Sequence, residues 1–307
     1  MEKVIVVIGP TSVGKTKMGV GLAKKFNGEV ISGDSMQIYK QMDIGTAKVT
    51  EEEKEGIIHH CVDILNPDET YSVHDFQQTV RKKITEITQR GHVPIIVGGT
   101  GLYIKAALYD YQFDEMENDH HAINEKYKDY TNEQLHDHLK SIDEESAKIL
   151  HFNNRRRVLR AIEIYETTGK RKSEMLEEQE HICLYDAYFV GLTLPRDVLY
   201  ERINKRVDVM MENGLKEEMD CLYSQGLTRN HQSMKAIGYK EWFDYYDHQI
   251  DLNDVLELIK KHSRQYAKRQ YTWFKNQFDV HWYDVNLENF EQTIEQVTDD
   301  IEKILKV

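Results

Sequence analysis

Proline, cysteine and long apolar runs are scarce in this sequence, and each scarcity excludes a class of protein. Four prolines and no low-complexity segment leave little that could form a linker. Three isolated cysteines, Cys61, Cys183 and Cys221, are odd in number and lack paired spacing, so neither a disulfide framework nor structural zinc is indicated. No apolar run approaches the ~20 residues of a membrane span, and the N-terminus does not resemble a signal peptide. We therefore expect a soluble, cytoplasmic protein with no membrane partner.

An excess of positive charge is also missing. The formal net charge of −13 argues against a nucleic-acid partner, because Lys and Arg supply most of the affinity for phosphate. The distribution of charged residues along the chain reverses this argument. Residues 112–150 hold 11 acids against 4 bases and residues 276–307 hold 8 against 2, whereas 151–175 carry 7 bases against 3 acids and 260–275 carry 6 bases and no acid. Local basic patches are what bind nucleic acid, so such a partner stays in consideration.

A glycine-rich segment near the N-terminus has the pattern of a P-loop. A β-branched run leads into Gly9-x-x-x-x-Gly14-Lys15-Thr16 and then into helical periodicity. In such a nucleotide-binding (ATP-binding) loop, backbone N–H groups and the lysine hold phosphate while the threonine hydroxyl binds Mg²⁺. We predict Mg²⁺ on Thr16 and phosphate contacts from Gly9, Pro10, Thr11, Ser12, Val13, Gly14, Lys15 and Thr16.

Phosphate binding leaves three kinds of chemistry open: phosphoryl transfer, nucleotide hydrolysis as a switch, and a reaction with diphosphate as the leaving group. The apolar strand "PIIV" is followed by Gly98-Gly99-Thr100-Gly101 instead of a Walker B aspartate, and no Asn-Lys-x-Asp guanine signature occurs. These absences weigh against a switch GTPase and, less strongly, against an ATPase.

The order of periodic segments predicts the fold. Strand and helix patterns alternate through the first hundred residues, with strands at "KVIVVIG", "NGEVIS", "HHCVDIL" and "HVPIIV" and a capping box at Ser72 to Asp75. From about residue 113 the strands stop, capping signals at Thr131 and Asp143 introduce helices, and a β pattern returns at 181–195, followed by helices only. We predict an α/β, P-loop NTPase-like parallel sheet flanked by helices (residues 1–112 and 184–307) with an inserted all-helical lobe (113–183).

Two groups of polar residues have two interpretations each. Asp34 and Ser35 follow the second strand and could cap a helix. Alternatively, Asp34 is a carboxylate beside the phosphate site and Gln37 an amide that pairs with a base edge. Arg202 and Arg206 are one helical turn apart, either on a solvated face or as ligands of an anion. Spacing alone does not decide.

Two helical segments carry basic faces. In "NNRRRVLRAIEIYETTGKRK", Arg156 and Arg160 lie opposite the apolar positions, which is more often simply a solvated surface. In "KKHSRQYAKRQYTWFK", bases recur at helical spacing around Tyr271 and no acid neutralises them. Such a stripe is typical of a phosphodiester partner, with base stacking available from the tyrosine.

Seven blocks of the sequence, in order, resemble the isopentenyl-tRNA transferase (IPP transferase) family of bacteria. The resemblance runs from residue 4 to about residue 283, and the blocks read "GPTSVGKT", "GDSMQIYKQMDIGTAK", "VGGTGLY", "RRRVLRAIE", "LYERINKRVDVM", "AIGYKE" and "KRQYTWF". The resemblance implies a prenyltransferase that moves the dimethylallyl group of dimethylallyl diphosphate to N6 of adenosine 37 in the anticodon stem-loop of tRNA. It also implies release of pyrophosphate and a requirement for Mg²⁺, and we expect a monomer.

The same resemblance implies roles for individual residues. Asp34 would be the general base on N6, while Thr100 and Arg206 would act at the diphosphate and the reacting centre. The P-loop would hold the diphosphate. The expected tRNA contacts are Asp34, Ser35, Met36, Gln37, Arg156, Arg157, Arg160, Arg264, Lys268, Arg269 and Tyr271.

Three other functions remain in competition. A P-loop small-molecule kinase would explain the phosphate site but not the basic stripe. A prenyltransferase acting on a free adenine nucleotide would need neither the helical insertion nor the basic helices. A nucleotide-gated RNA-binding protein would bind tRNA and leave it unmodified.

Overall fold

The structure, a computed structural model, describes residues 1–111, 113, 120–177 and 181–305. The strands in these ranges are β1 (Lys3–Ile8), β2 (Gly28–Ser32), β3 (His59–His60), β4 (Val93–Gly98), β5 (Asp186–Thr193) and β6 (His281–Asp284). The helices are α1 (Lys15–Lys25), α2 (Glu51–Lys54), α3 (Val73–Gln89), α4 (Gly101–Leu108), α5 (His120–Lys126), α6 (Asn132–Ile142), α7 (Glu144–Ile149), α8 (Arg155–Thr168), α9 (Lys172–Glu177), α10 (Arg196–Glu212), α11 (Leu215–Ser224), α12 (Trp242–Tyr246), α13 (Leu252–Gln277) and α14 (Phe290–Leu305).

The strands form one parallel sheet in the order β3-β2-β4-β1-β5-β6. Along β1, Val4, Val6 and Ile8 pack into one apolar cluster, and Ile5 and Val7 pack into another. Because side chains alternate along a strand, the two clusters lie on opposite faces of the sheet, which explains why every central position of β1 is apolar. The predicted α/β class, a parallel sheet flanked by helices, is confirmed.

Two details of the sheet differ from the sequence-based expectation. The segment "HHCVDIL" pairs with β2 only at His59–His60. Cys61 and Asp63 have positive φ values of 61° and 55°, which a strand does not accommodate. The expectation that only helices follow β5 is wrong, because β6 adds a parallel edge strand. β6 buries only Tyr283 and has no continuous apolar run that would reveal it.

The predicted helix starts are where the capping signals placed them. Ser72 and Asp75 form a capping box at the start of α3, and Thr131 forms one with Gln134 at the start of α6. The Asp143 side chain accepts a hydrogen bond from the Ser146 N–H at the start of α7. These local predictions are confirmed because a cap depends only on residues three positions apart.

The chain divides into two compact units, Met1–Tyr109 with Cys183–Val307, and Asp110–Ile182. The described part of the second unit consists of α5 to α9 around its own core, which includes Leu135, Leu139, Val158 and Ile162. Within the predicted insertion, residues 114–119 and 178–180 lie outside the described residues, as does residue 112 just before it. Among the helices described, none has the length and apolar character needed to cross a bilayer.

Candidate active site

The P-loop connects β1 to α1 at the carboxyl edge of the sheet. Gly14 has a φ of 109° at the N-terminus of α1, a conformation that glycine adopts without strain. Lys15 Nζ donates to the Pro10 carbonyl at 2.8 Å, so the lysine folds over the loop. The Ser12 hydroxyl is buried and has no hydrogen-bond partner among the described residues. An unsatisfied hydroxyl beside the N-terminus of a helix fits a loop shaped for phosphate oxygens.

Asp34 lies in the loop that follows β2. Its Oδ1 accepts the Met36 N–H at 2.8 Å, and no helix begins between Asp34 and the start of α2 at Glu51. The interpretation of Asp34 and Ser35 as a helix cap is therefore wrong, whereas the carboxylate does stand beside the P-loop. Burial raises the pKa of Asp34, while the Met36 N–H and the Lys15 charge oppose that rise.

The side chains after Asp34 are held by neighbouring loops. The Ser35 N–H donates to Thr100 Oγ1 at 3.2 Å, so Thr100 holds the loop that carries Asp34. The Gln37 amide donates to the carbonyls of Thr46 and Ala47 at 3.4 and 3.3 Å. Its Oε1 also accepts the Ser32 hydroxyl at 3.2 Å. Pairing of Gln37 with a base stays a prediction, and it requires the amide to exchange these partners.

Two cavities meet at Asp34. The first has a volume of about 540 Å³ and is lined by P-loop residues including Lys15 and Thr16 and by Arg202. The second, of about 340 Å³, is lined by residues that include Met36, Tyr266 and Arg269. The residues that line both are Thr11, Ser12, Asp34, Thr46, Ala47 and Arg206. Asp34 therefore lies in the shared wall of two adjoining cavities.

The junction of the cavities concentrates positive charge. Burial, followed by the neighbouring Arg206 charge, lowers the pKa of Lys15 to about 8. Burial also lowers the pKa of Arg206, although Glu53 and Asp34 oppose that effect. Because burial outweighs the attraction of these carboxylates, both cations are desolvated and favour binding of an anion. This position supports the interpretation of Arg206 as an anion ligand. Arg202 contacts the P-loop directly, because its Nε donates to the Ser12 carbonyl at 3.0 Å.

The donor atoms around Thr16 suit a hard cation. Thr16, Ser32 and Asp34 line the first cavity and offer two hydroxyls and a carboxylate. Mg²⁺ prefers oxygen ligands and is usually held by one or two protein groups together with substrate phosphates. Among the described residues, no cluster of three or more His, Cys, Asp or Glu side chains could hold a metal on its own. The oxygen donors of this cavity therefore fit a hard cation that is also bound by a phosphate.

The predicted contacts on α13 fall into two groups. Lys268, Arg269 and Tyr271 are exposed, and Arg269 also lines the second cavity. Arg264 is half-buried and donates to Asn204 Oδ1 on α10, so part of its hydrogen-bonding capacity is used within the fold. The exposed group is available to a phosphodiester backbone.

The arginines of α8 also differ in their surroundings. Arg156 and Arg157 are exposed, whereas Arg160 is half-buried and pairs with Glu163 at 2.8 Å. Lys172 has a pKa lowered first by burial and then by the charges of Arg157 and Arg160. Arg157, Arg160 and Lys172 therefore form one local concentration of positive charge in the helical unit.

Several residues that shape the site carried no recognisable sequence signal. Gln270 accepts the Thr11 N–H at 2.9 Å and donates to the Gly99 carbonyl at 3.0 Å. Glu218 accepts three consecutive backbone N–H groups, those of Asp43, Ile44 and Gly45, at 2.8, 2.7 and 3.1 Å. Both residues bind partners that are far away in the sequence, so periodicity and short motifs could not reveal them.

Comparisons with known proteins agree in one family. A family model described as "IPP transferase" matches residues 37–277. A tRNA dimethylallyltransferase of Bacillus cereus (strain AH187) is 54% identical, with 92% of this chain and 90% of that protein covered. The crystal structure of a tRNA isopentenylpyrophosphate transferase from Bacillus halodurans is 45% identical with a TM-score of 0.77, covering 100% of this chain and 97% of that one. The crystal structure of a eukaryotic dimethylallyltransferase acting on tRNA is 33% identical with a TM-score of 0.86, covering 99% of this chain and 79% of that one.

Proposed function

The chain belongs to the IPP transferase family, and on that basis we propose that it transfers the dimethylallyl group of dimethylallyl diphosphate to N6 of adenosine 37 in the anticodon stem-loop of tRNA. The observation that carries this proposal is the pair of cavities that share Asp34 and Arg206. The first cavity is lined by the P-loop with Lys15 and Thr16, and the second is lined in part by Tyr266 and Arg269 of α13. A transferase needs such a meeting point for donor and acceptor.

The first cavity would hold the donor. Breaking the allylic C–O bond leaves the bonding electrons on the diphosphate, whose negative charge grows as the carbon becomes cationic. The loop N–H groups would stabilise that charge together with Lys15 and Arg206, which line this cavity, and this is the electrostatic role of a preorganised site. Val30, Val49 and Val62 in the same cavity offer apolar surface to the five-carbon group.

We also propose that Mg²⁺ accompanies the donor. Thr16 would hold it together with diphosphate oxygens, in agreement with the hydroxyl and carboxylate donors that line the cavity. When bound, Mg²⁺ adds positive charge against the leaving diphosphate.

The second cavity would admit the adenine. N6 is a weak nucleophile because its lone pair is delocalised into the ring, so a proton must leave as the N–C bond forms. Asp34 can accept that proton on the carboxylate oxygen that does not bind the Met36 N–H. Thr100 contributes by holding Ser35, and therefore the loop of the base, in place.

The tRNA itself would be held by backbone contacts. Extruding a base from its stack costs a few kcal/mol, which phosphate contacts elsewhere can offset. Lys268, Arg269 and Tyr271 of α13 are exposed and would make such contacts, together with the exposed Arg156 and Arg157 of α8. Arg160 and Arg264 would have to share their existing partners, so we expect smaller contributions from them.

Nucleoside analysis tests the proposal. Incubation of tRNA with the protein, Mg²⁺ and dimethylallyl diphosphate should give adenosine carrying a five-carbon group and one pyrophosphate for each modified nucleoside. Donor label that stays among small molecules would contradict it. Release of ADP from ATP would indicate a kinase, AMP that outcompetes tRNA would indicate a free-nucleotide prenyltransferase, and tight binding of unmodified tRNA would indicate an RNA-binding protein.

We further propose that the enzyme acts as a monomer in the cytoplasm. One chain contains both cavities and the carboxylate between them, so no second copy is needed to complete the site. Sedimentation analysis at the concentrations used for turnover checks this, and activity confined to a larger species would contradict it.

A further inference from the structure

One side of α13 packs against the glycine turn that follows β4. Tyr266, Gln270 and Trp273 recur at helical spacing on that side. The Gly99 carbonyl accepts hydrogen bonds from Gln270 Nε2 at 3.0 Å and from the Tyr266 hydroxyl at 3.3 Å. A Cβ at Gly101 would stand 2.2 Å from the Trp273 ring. The contact is therefore close enough to exclude a side chain at Gly101.

Gln270 also reaches the P-loop. Its Oε1 accepts the N–H of Thr11 at 2.9 Å, so the two ends of one amide bind two different loops. The side chain is buried, with 6% of the residue exposed. A buried amide with both ends bound has little freedom to rotate, and it holds its two partners at a set distance.

The glycine turn is in turn attached to the loop that carries Asp34. The Thr100 N–H donates to the Gly33 carbonyl at 3.3 Å, and Thr100 Oγ1 accepts the Ser35 N–H. A Cβ at Gly98 would lie 2.3 Å from the Gly33 oxygen, so the two segments are in direct backbone contact. A shift of the turn must therefore move the Asp34 loop with it.

We propose that Gln270 is a positioning residue for prenyl transfer, which sets the distance between the P-loop and the loop of Asp34. The inference rests on the proposed function, in which the P-loop holds the leaving diphosphate and Asp34 receives the proton. Transfer requires the allylic carbon to lie close to N6 when the C–O bond breaks, and a displacement of about 1 Å can cost on the order of 100-fold in rate. A loosened site also admits water, which captures the cation in place of N6.

The test compares the same substitution at two glutamines of α13. Gln270→Met keeps the length and removes both hydrogen bonds, whereas Gln265→Met changes an exposed position of the same helix. We expect Gln270→Met to lower kcat about 10–100-fold, with tRNA affinity within about twofold of wild type. We also expect more dimethylallyl alcohol for each adenosine modified. Gln265→Met should match wild type in all three measurements.

Gln270→Asn provides a second variant that keeps an amide. Its side chain is one methylene shorter, so it cannot span both loops, and we expect the same shift towards the alcohol. An unchanged ratio of alcohol to modified adenosine in the folded variants would overturn the proposal, even if thermal stability fell. Failure of both variants to fold would also overturn it, since the residue would then serve the fold. Wild-type protein that forms no modified adenosine would instead refute the proposed function.

Discussion

Binding of dimethylallyl diphosphate should draw protons from solution onto Lys15. Burial, together with the Arg206 charge, lowers the pKa of this lysine to about 8, although Asp34 opposes the effect. A group with that pKa is about one-tenth neutral at pH 7, half neutral at pH 8 and nine-tenths neutral at pH 9. A bound diphosphate raises the pKa again because it favours the ammonium form. The expected uptake is therefore about 0.1, 0.5 and 0.9 proton at these three pH values.

The same linkage sets the pH dependence of affinity. Between pH 7 and pH 9 the association constant for the donor should fall about tenfold, or about 1.4 kcal/mol, since neutral lysine must first be protonated. Ionisation of the donor itself acts in the other direction, and with a second phosphate pKa of about 6 it is nearly complete over this range. A fall in affinity with rising pH therefore reports on the protein.

Titration calorimetry measures the uptake directly. Heats of donor binding without tRNA, compared in buffers of different ionisation enthalpy, give the number of protons transferred. Uptake through Asp34 would decrease as the pH rises, whereas uptake through Lys15 increases, so the trend separates the two groups. Lys15→Arg is the matched control, because arginine stays protonated and should abolish the increase. No uptake at pH 8 and 9 in the wild-type protein would refute the reasoning.

Three further predictions follow from single side chains. Asp34→Asn should lower turnover on the order of 10²–10⁴-fold while tRNA affinity stays within about threefold. Wild-type turnover should also fall as the pH drops through the raised pKa of Asp34, because the protonated carboxyl cannot act as a base. Equal losses of turnover and tRNA affinity in the variant would make Asp34 a binding residue only. Arg157→Ala should weaken tRNA binding and reduce by about 1 the slope of the log association constant against log salt concentration. Lys25→Ala, at an exposed position of α1, should change neither quantity. Identical slopes for the two variants in filter-binding assays would show that Arg157 does not contact tRNA. Glu218→Ala should lower the free energy of unfolding by about 1–3 kcal/mol in denaturant titrations, because three backbone N–H groups lose their acceptor. Glu217→Ala, at the exposed neighbouring position, is the control. A decrease for Glu218→Ala no greater than that for Glu217→Ala would contradict the prediction.

Local features of the fold were predictable because their causes are local. The P-loop follows from glycines at required backbone conformations between an apolar strand and a helix, and the capping box at Ser72 depends on a residue three positions away. The edge strand β6 was not predictable in the same way. Its backbone pairs with Val190–Thr193, about ninety residues earlier in the chain, and only one of its side chains is buried.

The candidate site shows the same division. Asp34 could be singled out because it follows a strand at the carboxyl edge of a parallel sheet, where ligands of such folds bind. The absence of an aspartate after β4 was evident, but the role of the glycine turn in its place was not. That role depends on close approach by Gly33 and Gln270, and a residue 171 positions from Gly99 leaves no periodic signal in the sequence.

The basic stripe of α13 shows that a motif can be assigned correctly to a helix while the role of one of its residues is not predicted. Successive residues of an α-helix point about 100° apart, so "KRQY" distributes its side chains over more than one side. Lys268 and Arg269 are exposed, whereas Gln270 is buried against the P-loop and the glycine turn. The two basic residues are the proposed contacts of an RNA backbone, whereas the uncharged residue that follows them attaches this helix to the P-loop and the glycine turn. Under the proposed function, this one helix would connect tRNA contacts on its exposed side with the alignment of the P-loop and Asp34.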